Sequence, residues 1–216
     1  MSRLRRPRVL LADDHRMVAE GLKSLLSADF DLVDVVEDGR ALILAAKKHN
    51  PDVIVADIAM PHLNGLDALT LLKKENPRVR VIFLTMHQEV AYARRALEAG
   101  ASGFVLKHSA PAELVTAIHA SLEGKTYLTP ALAGEVIHAF RMGKDDASDR
   151  ATKLTTRQRE ILQLLAEGRS AKEIAGTLGI SSRTVEFHKY HLMESLQIHN
   201  SAELIHFAIK QGIVAI

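Results

Sequence analysis

Two periods divide the chain. Through residues 1–125, short apolar runs alternate with longer amphipathic ones. RVLLADD, DLVDVV, DVIVAD, RVIFLT and GFVLK are short, rich in Val, Ile, Leu or Phe, and bounded by Pro, Gly or charge, which marks them as strands. Between them, RMVAEGLKSLL, GRALILAAKKH, LDALTLLKKE and VAYARRALEAG repeat their apolar positions at helical spacing. Strand–helix alternation of this kind predicts a mostly parallel sheet with helices on both faces.

From Tyr127 the pattern changes. TPALAGEVIHAF has one more helical pattern, and RMGKDDASDRATK, residues 141–153, is polar without apolar period and reads as a linker. No strand pattern follows it. Thr155 with Gln158, Ser170 with Glu173 and Asn200 with Glu203 fit or approximate the capping box that satisfies the free amides of a helix's first turn. Ser181-Ser182 supplies another N-cap before RTVEFHKYHLMESL. The organisation predicted is an α/β domain over 1–126, a linker containing a helix pattern over 127–152, and a small all-α domain of about four helices over 153–216.

A length of 216 residues accommodates two such domains, and 47% hydrophobic with 25% charged residues is ordinary globular composition. The absence of Cys excludes a disulfide framework and thiolate chemistry, so a reducing cytoplasm is the expected setting. The basic start MSRLRRPRVLLADD ends its apolar stretch in two acids, unlike a signal peptide, and no apolar run is long enough for a bilayer, so no membrane partner is expected. The net charge is +2, and residues 151–216 alone carry eight Lys or Arg against six Glu, so the whole excess sits in the helical third.

The strand-like runs stop on chemistry. VLLA ends on Asp13-Asp14, VIVA on Asp57, VIFL on Thr85 and GFVL on Lys107. One acid at a strand end is ordinary turn chemistry. In an open parallel sheet, however, all strand C-termini share one edge, and sites form there. That edge would gather three carboxylates, a hydroxyl and an ammonium. Mutually repelling carboxylates favour a hard, oxygen-seeking cation such as Mg²⁺. A carboxylate so placed is a nucleophile toward phosphorus and yields an acyl phosphate. Metal and Lys107 would neutralise phosphoryl oxygens, and Thr85 would donate to one. Asp57 is expected at an exposed strand end.

These residues, with Asp57, Met60, Pro61 and Gly65 in DIAMPHLNG, Thr85 in LTMH and Lys107 in GASGFVLK, resemble the receiver domain of two-component response regulators. The resemblance implies a flavodoxin-like fold with a five-stranded parallel sheet. It further implies phosphorylation of Asp57 by a sensor histidine kinase, and Mg²⁺ (or Mn²⁺) held by Asp13, Asp14, Asp57 and the backbone carbonyl of Ala59. Phe104 falls where receivers keep a switching aromatic. His108 follows Lys107 in place of the usual Pro, and Ala59 and His87 sit where receivers tune loss of the phosphoryl group. By its own chemistry His87 is either an acid–base group or, more commonly, a solvent-facing loop histidine.

The stretch from Leu154 to Leu196 resembles a LuxR-type helix-turn-helix through Leu154-Thr155, Arg157, Glu160, Glu167-Gly168, Lys172-Glu173-Ile174-Ala175, Ile180-Ser181, Thr184-Val185 and His188. Receiver and helix-turn-helix together resemble the NarL/FixJ class. That implies a transcription regulator, switched by phosphorylation, which binds promoter half-sites in double-stranded DNA as a homodimer. The resemblance places DNA contacts at Lys172, Ser182, Arg183, Thr184, Glu186, Phe187, Lys189 and Tyr190.

At 3.6 residues per turn, Val185, His188, Leu192 and Leu196 form the inner stripe of the helix from Ser182, which reads His188 as a core histidine rather than a DNA contact, while Arg183, Glu186, Phe187, Tyr190 and Glu194 point outward. Two outward aromatics are wasteful in solvent and useful in a major groove, although a protein partner's groove would also use them. The family often carries Lys where this chain has Glu186 and Ser195. His188 and His191 share a helix without a third ligand, so zinc is not expected. In the last helix, residues 201–211, Leu204, Ile205, Ala208 and Ile209 form an apolar face for core packing or a dimer.

Two other readings remain at this point. One is a phosphatase-like enzyme with an Asp nucleophile on a doubly wound sheet, but Ala59 stands where such an enzyme places its second Asp. The other is a DNA-binding regulator independent of phosphorylation. The principal expectation is a protein that is not an enzyme, beyond accepting a phosphoryl group and slowly losing it.

Overall fold

Strands β3 (Val53–Ala56), β4 (Val81–Thr85) and β5 (Gly103–Leu106) are buried at every position. Continuous apolar runs are what a sheet covered on both faces requires. β1 (Arg8–Ala12) lies between β3 and the more exposed β2 (Asp31–Val36). The computed structural model describes residues 5–109, 111–142 and 154–214. In it the sheet has six strands, all paired in parallel, in the order β2-β1-β3-β4-β5-β6.

The sixth strand corrects the expected five. β6 is only Tyr127–Leu128, with Phe104 opposite Leu128. Two residues are too few to show a period of two, so the sequence pattern hides it.

Alternate strand residues face opposite layers. Leu10, Ile54, Phe83 and Phe104 pack on one side, against α2 (Gly39–His49), α3 (Gly65–Glu75) and α4 (Val90–Glu98). Val9, Leu11, Val55 and Ile82 pack on the other, against α1 (Arg16–Leu26) and α5 (Pro111–Leu122). α5 matches none of the patterns above, because LVTAIHA is nearly continuous in apolar and small residues.

α6 (Pro130–Met142) forms within the segment read as a linker. It buries Leu132 and Val136 in the same core as α4, and Thr129 accepts a hydrogen bond from the Leu106 amide at 3.2 Å. Residues 127–142 therefore belong to the sheet domain, within a compact unit spanning Met1–Gly143. Residues 143–153 lie outside the described residues.

The second unit, Lys144–Ile216, contains α7 (Thr156–Ala166), α8 (Ala171–Leu178), α9 (Ser182–Leu196) and α10 (Ser201–Lys210). Its core gathers Ile161, Leu164, Ile174, Val185, Leu192 and Leu204. Both strict capping boxes close, at Thr155 with Gln158 and at Ser170 with Glu173; Ser181 and Asn200 cap the other two helices. α8 ends on Gly179 at φ 64°, a left-handed residue that turns the chain into α9 at no Cβ cost. Arg157 pairs with the buried Glu160 at 2.7 Å and donates to the Leu178 carbonyl at 3.1 Å, tying α7 to the end of α8. In α10, Leu204 and Ala208 are buried in this core, while Ile205 and Ile209 are half-buried.

Candidate functional site

The C-terminal ends of β1, β3, β4 and β5 do converge. Asp13 and Asp14 follow β1, Asp57 follows β3, Thr85 closes β4 and Lys107 follows β5. Strand pairing holds the spacing: the Asp57 amide donates to the Ala12 carbonyl and the Lys107 amide to the Thr85 carbonyl, each at 2.8 Å.

Contrary to the exposed strand end expected for it, Asp57 is 3% exposed. Its Oδ1 accepts from the Ile58 amide at 2.6 Å and its Oδ2 from Lys107 Nζ at 2.5 Å. The same ammonium lies 2.8 Å from Asp13 Oδ2, and the Lys107 side chain is 6% exposed. Burial alone would lower the Lys107 pKa; Asp57 and Asp13 outweigh it and hold the ammonium above its ordinary range. Thr85 is fully buried, and its hydroxyl accepts from the His87 amide at 3.3 Å. Phe104, on β5, is fully buried.

Gly65 explains the tightness of the turn after Asp57. A Cβ there would sit 2.2 Å from the Asp57 carbonyl oxygen and 2.9 Å from the Phe83 ring. Asn64 caps α3 by accepting from the Asp67 amide at 2.9 Å, so loop and helix are locked behind the Asp57 carboxylate. His87 is not a plain solvent-facing residue: its ring stacks on Tyr92 with centroids 4.4 Å apart, and its side chain is 23% exposed.

Carboxylate oxygens of Asp13, Asp14 and Asp57 and a ring nitrogen of His15 all lie within 4.8 Å of one another. Three carboxylates and one ammonium leave two negative charges in the pocket, which fits a divalent cation bound by oxygen ligands. The strand-end pattern does not point to His15. Its Nδ1 lies 3.0 Å from Asp14 and 3.3 Å from Asp13, and only its place directly after two acids hinted at this. Beside the pocket, a groove of about 630 Å³ runs between α1 and α5, lined by Met17, Leu22, Leu25, Met86, Leu114 and Lys107.

In the helical unit, Lys172 on α8 and Ser182, Arg183, Glu186, Phe187 and Tyr190 on α9 are exposed. Thr184 and Lys189 are half-buried, and the Thr184 hydroxyl pairs with Ser181 Oγ at 2.8 Å within the cap. Val185, Leu192 and Leu196 are buried as the stripe predicted, and His188 is half-buried. His191 is exposed, with its ring against Phe187. Among the described residues, no helix is long and apolar enough to cross a membrane.

Comparison with known proteins matches both units. The family described as response regulator receiver domain matches residues 9–119, and that described as bacterial regulatory proteins, luxR family, matches residues 152–208. The transcriptional regulatory protein MctR of Rhizobium johnstonii is 39% identical over 96% of the chain and 95% of its own length. The transcriptional regulatory protein UhpA of Escherichia coli is 38% identical over 91% of the chain and 94% of its own. A solved structure of two RcsB dimers bound to two parallel DNAs, at 28% identity, aligns with a TM-score of 0.59 over 95% of this chain and 98% of that one.

Proposed function

Because the chain belongs to the two-component response regulators that join a receiver to a LuxR-type DNA-binding domain, we propose that its switch is a phosphoryl group carried on Asp57. The family is one of transcription regulators rather than enzymes. The donor in this reading is the phosphohistidine of a partner sensor kinase, in the cytoplasm, and the apolar groove between α1 and α5 is the surface that receives it. The groove supports this because it shares Lys107 with the acidic pocket.

An Asp57 carboxylate oxygen attacks phosphorus, the phosphorus–nitrogen bond breaks, and the histidine departs as a neutral ring after taking a proton. Mg²⁺ or Mn²⁺ held by Asp13, Asp14, Asp57 and the Ala59 carbonyl would offset charge on the phosphoryl oxygens. Lys107, already on Asp57 at 2.5 Å, needs little movement to meet those oxygens. Thr85 then donates its hydroxyl to one of them, and Phe104, on the strand paired with β4, senses the movement of Thr85. Slow hydrolysis of the acyl phosphate resets the switch. The regulator binds half-sites of double-stranded DNA as a homodimer, through Lys172, Ser182, Arg183, Thr184, Glu186, Phe187, Lys189 and Tyr190.

The observation that carries this reading is the Lys107 ammonium bridging Asp57 and Asp13 in a pocket that keeps a net two negative charges. Intact-mass measurement after treatment with an acyl-phosphate donor and Mg²⁺ tests it. Wild type should gain one stable phosphoryl group per chain, and Asp57→Asn none, with circular dichroism confirming that the variant is folded. Equal labelling of a folded Asp57→Asn, or rapid catalytic consumption of the donor, would sink it.

A further inference from the structure

The outer face of α9 is poor in cations for a helix that meets a polyanion. Its exposed charged residues include Arg183, Glu186 and Glu194, while Lys189 is half-buried. Phe187 and Tyr190 are 59% and 67% exposed. The ring of His191 lies 4.4 Å from Phe187 at 68° and 6.2 Å from Tyr190 at 79°. Edge-on contacts of this kind favour one arrangement of aromatic rings over others. The three rings therefore make one continuous ridge about a turn long, with Glu186 at its N-terminal end.

Base edges in the major groove differ in what they offer such a ridge. Guanine presents the acceptors N7 and O6, which a carboxylate repels and an aromatic edge leaves unsatisfied. Cytosine presents its N4 amine, a donor that a carboxylate accepts; thymine presents the C5 methyl, an apolar contact. Resting on the DNA-binding reading above, we propose that this regulator reads thymine methyl groups. Phe187 and Tyr190 pack on them, His191 braces the two rings, and Glu186 selects a cytosine amine beside them. Sequence preference then comes from the apolar ridge, and phosphate attraction is left to residues off this face, such as Lys172 on α8.

Full-length phosphorylated protein is used to select duplexes from a random pool, and each bound site is resynthesised with uracil in place of thymine, one position at a time. Uracil pairs as thymine does and lacks only the methyl. Affinity should fall about fourfold at each methyl buried against the ridge, the worth of one carbon taken out of water. Phe187→Ala should bind thymine and uracil versions of at least one such position equally, with an unchanged salt slope, since no phosphate contact is lost. Glu186→Gln should relax the choice of cytosine at the neighbouring pair. Selected sites whose thymines all tolerate uracil, or a guanine-centred core unaffected by Glu186→Gln, would overturn the proposal, and the ridge would then face something other than base edges. Failure to select any DNA would remove instead the reading on which it rests.

Discussion

In the proposed switch Asp57 reacts from a position that is almost closed to water, and its neighbours decide whether it can. One oxygen is held by the Ile58 amide and the other by Lys107, and the carbonyl behind it is packed against Gly65. Gly65→Ala forces a methyl into a 2.2 Å contact with backbone, so the β3–α3 loop must shift. We expect a loss of about 1–3 kcal/mol in urea denaturation, the usual cost of overpacking, together with slower phosphoryl incorporation. An alanine variant as stable and as quickly labelled as wild type would show that the loop yields freely. The identity of the acidic set was legible in the chain because acids, a hydroxyl and an ammonium each close an apolar run. The burial of Asp57 was not, since a strand-end acid usually meets water and only tertiary packing puts α3 behind it. His15 was not legible either: its approach to three carboxylates depends on where the sheet folds them.

Helix starts in the second unit follow local rules and were the most readable elements. A capping side chain bonds an amide three residues on, so Thr155, Ser170, Ser181 and Asn200 declare themselves without tertiary information. Ser170→Ala should cost about 1 kcal/mol of stability by chemical denaturation, the usual worth of an N-cap. The same cap has a defined acid limit. Hydrogen bonds from the Ser170 hydroxyl and amide hold the Glu173 carboxyl below its ordinary pKa of 4.5. A depressed folded-state value means that the cap is complete above pH 4.5 and is lost as pH falls through that lower value. Protection of the Ser170 amide, its exchange rate relative to the unfolded chain at the same pH, should therefore stay constant through neutral pH and fall only in acid; a fall near neutrality would contradict the assignment. Elements defined by tertiary pairing were harder to read. β6 is two residues long, and α6 presents Ile137, Phe140 and Met142 outward while burying Leu132 and Val136, so neither announces its partner in the sheet domain.

For the whole molecule, the order of strands decides where the first domain can be cut. β5 is apolar at every position and lies one place from the end of the sheet, covered there by the two residues of β6 and continued into α6. A fragment ending at Thr126 keeps every residue of the acidic pocket, yet it uncovers the free amides and carbonyls of β5, a template on which another chain can add a strand. A fragment ending at Met142 keeps that margin shut. Light scattering should find the shorter piece self-associating as concentration rises, and the longer one monodisperse under the same conditions. Equal behaviour of both would mean that β6 shields nothing. On this expectation the last strand of the sheet is a guard against aggregation as much as a connection onward, and a gene fusion that joins a new output domain at residue 126 would discard the guard along with the old one.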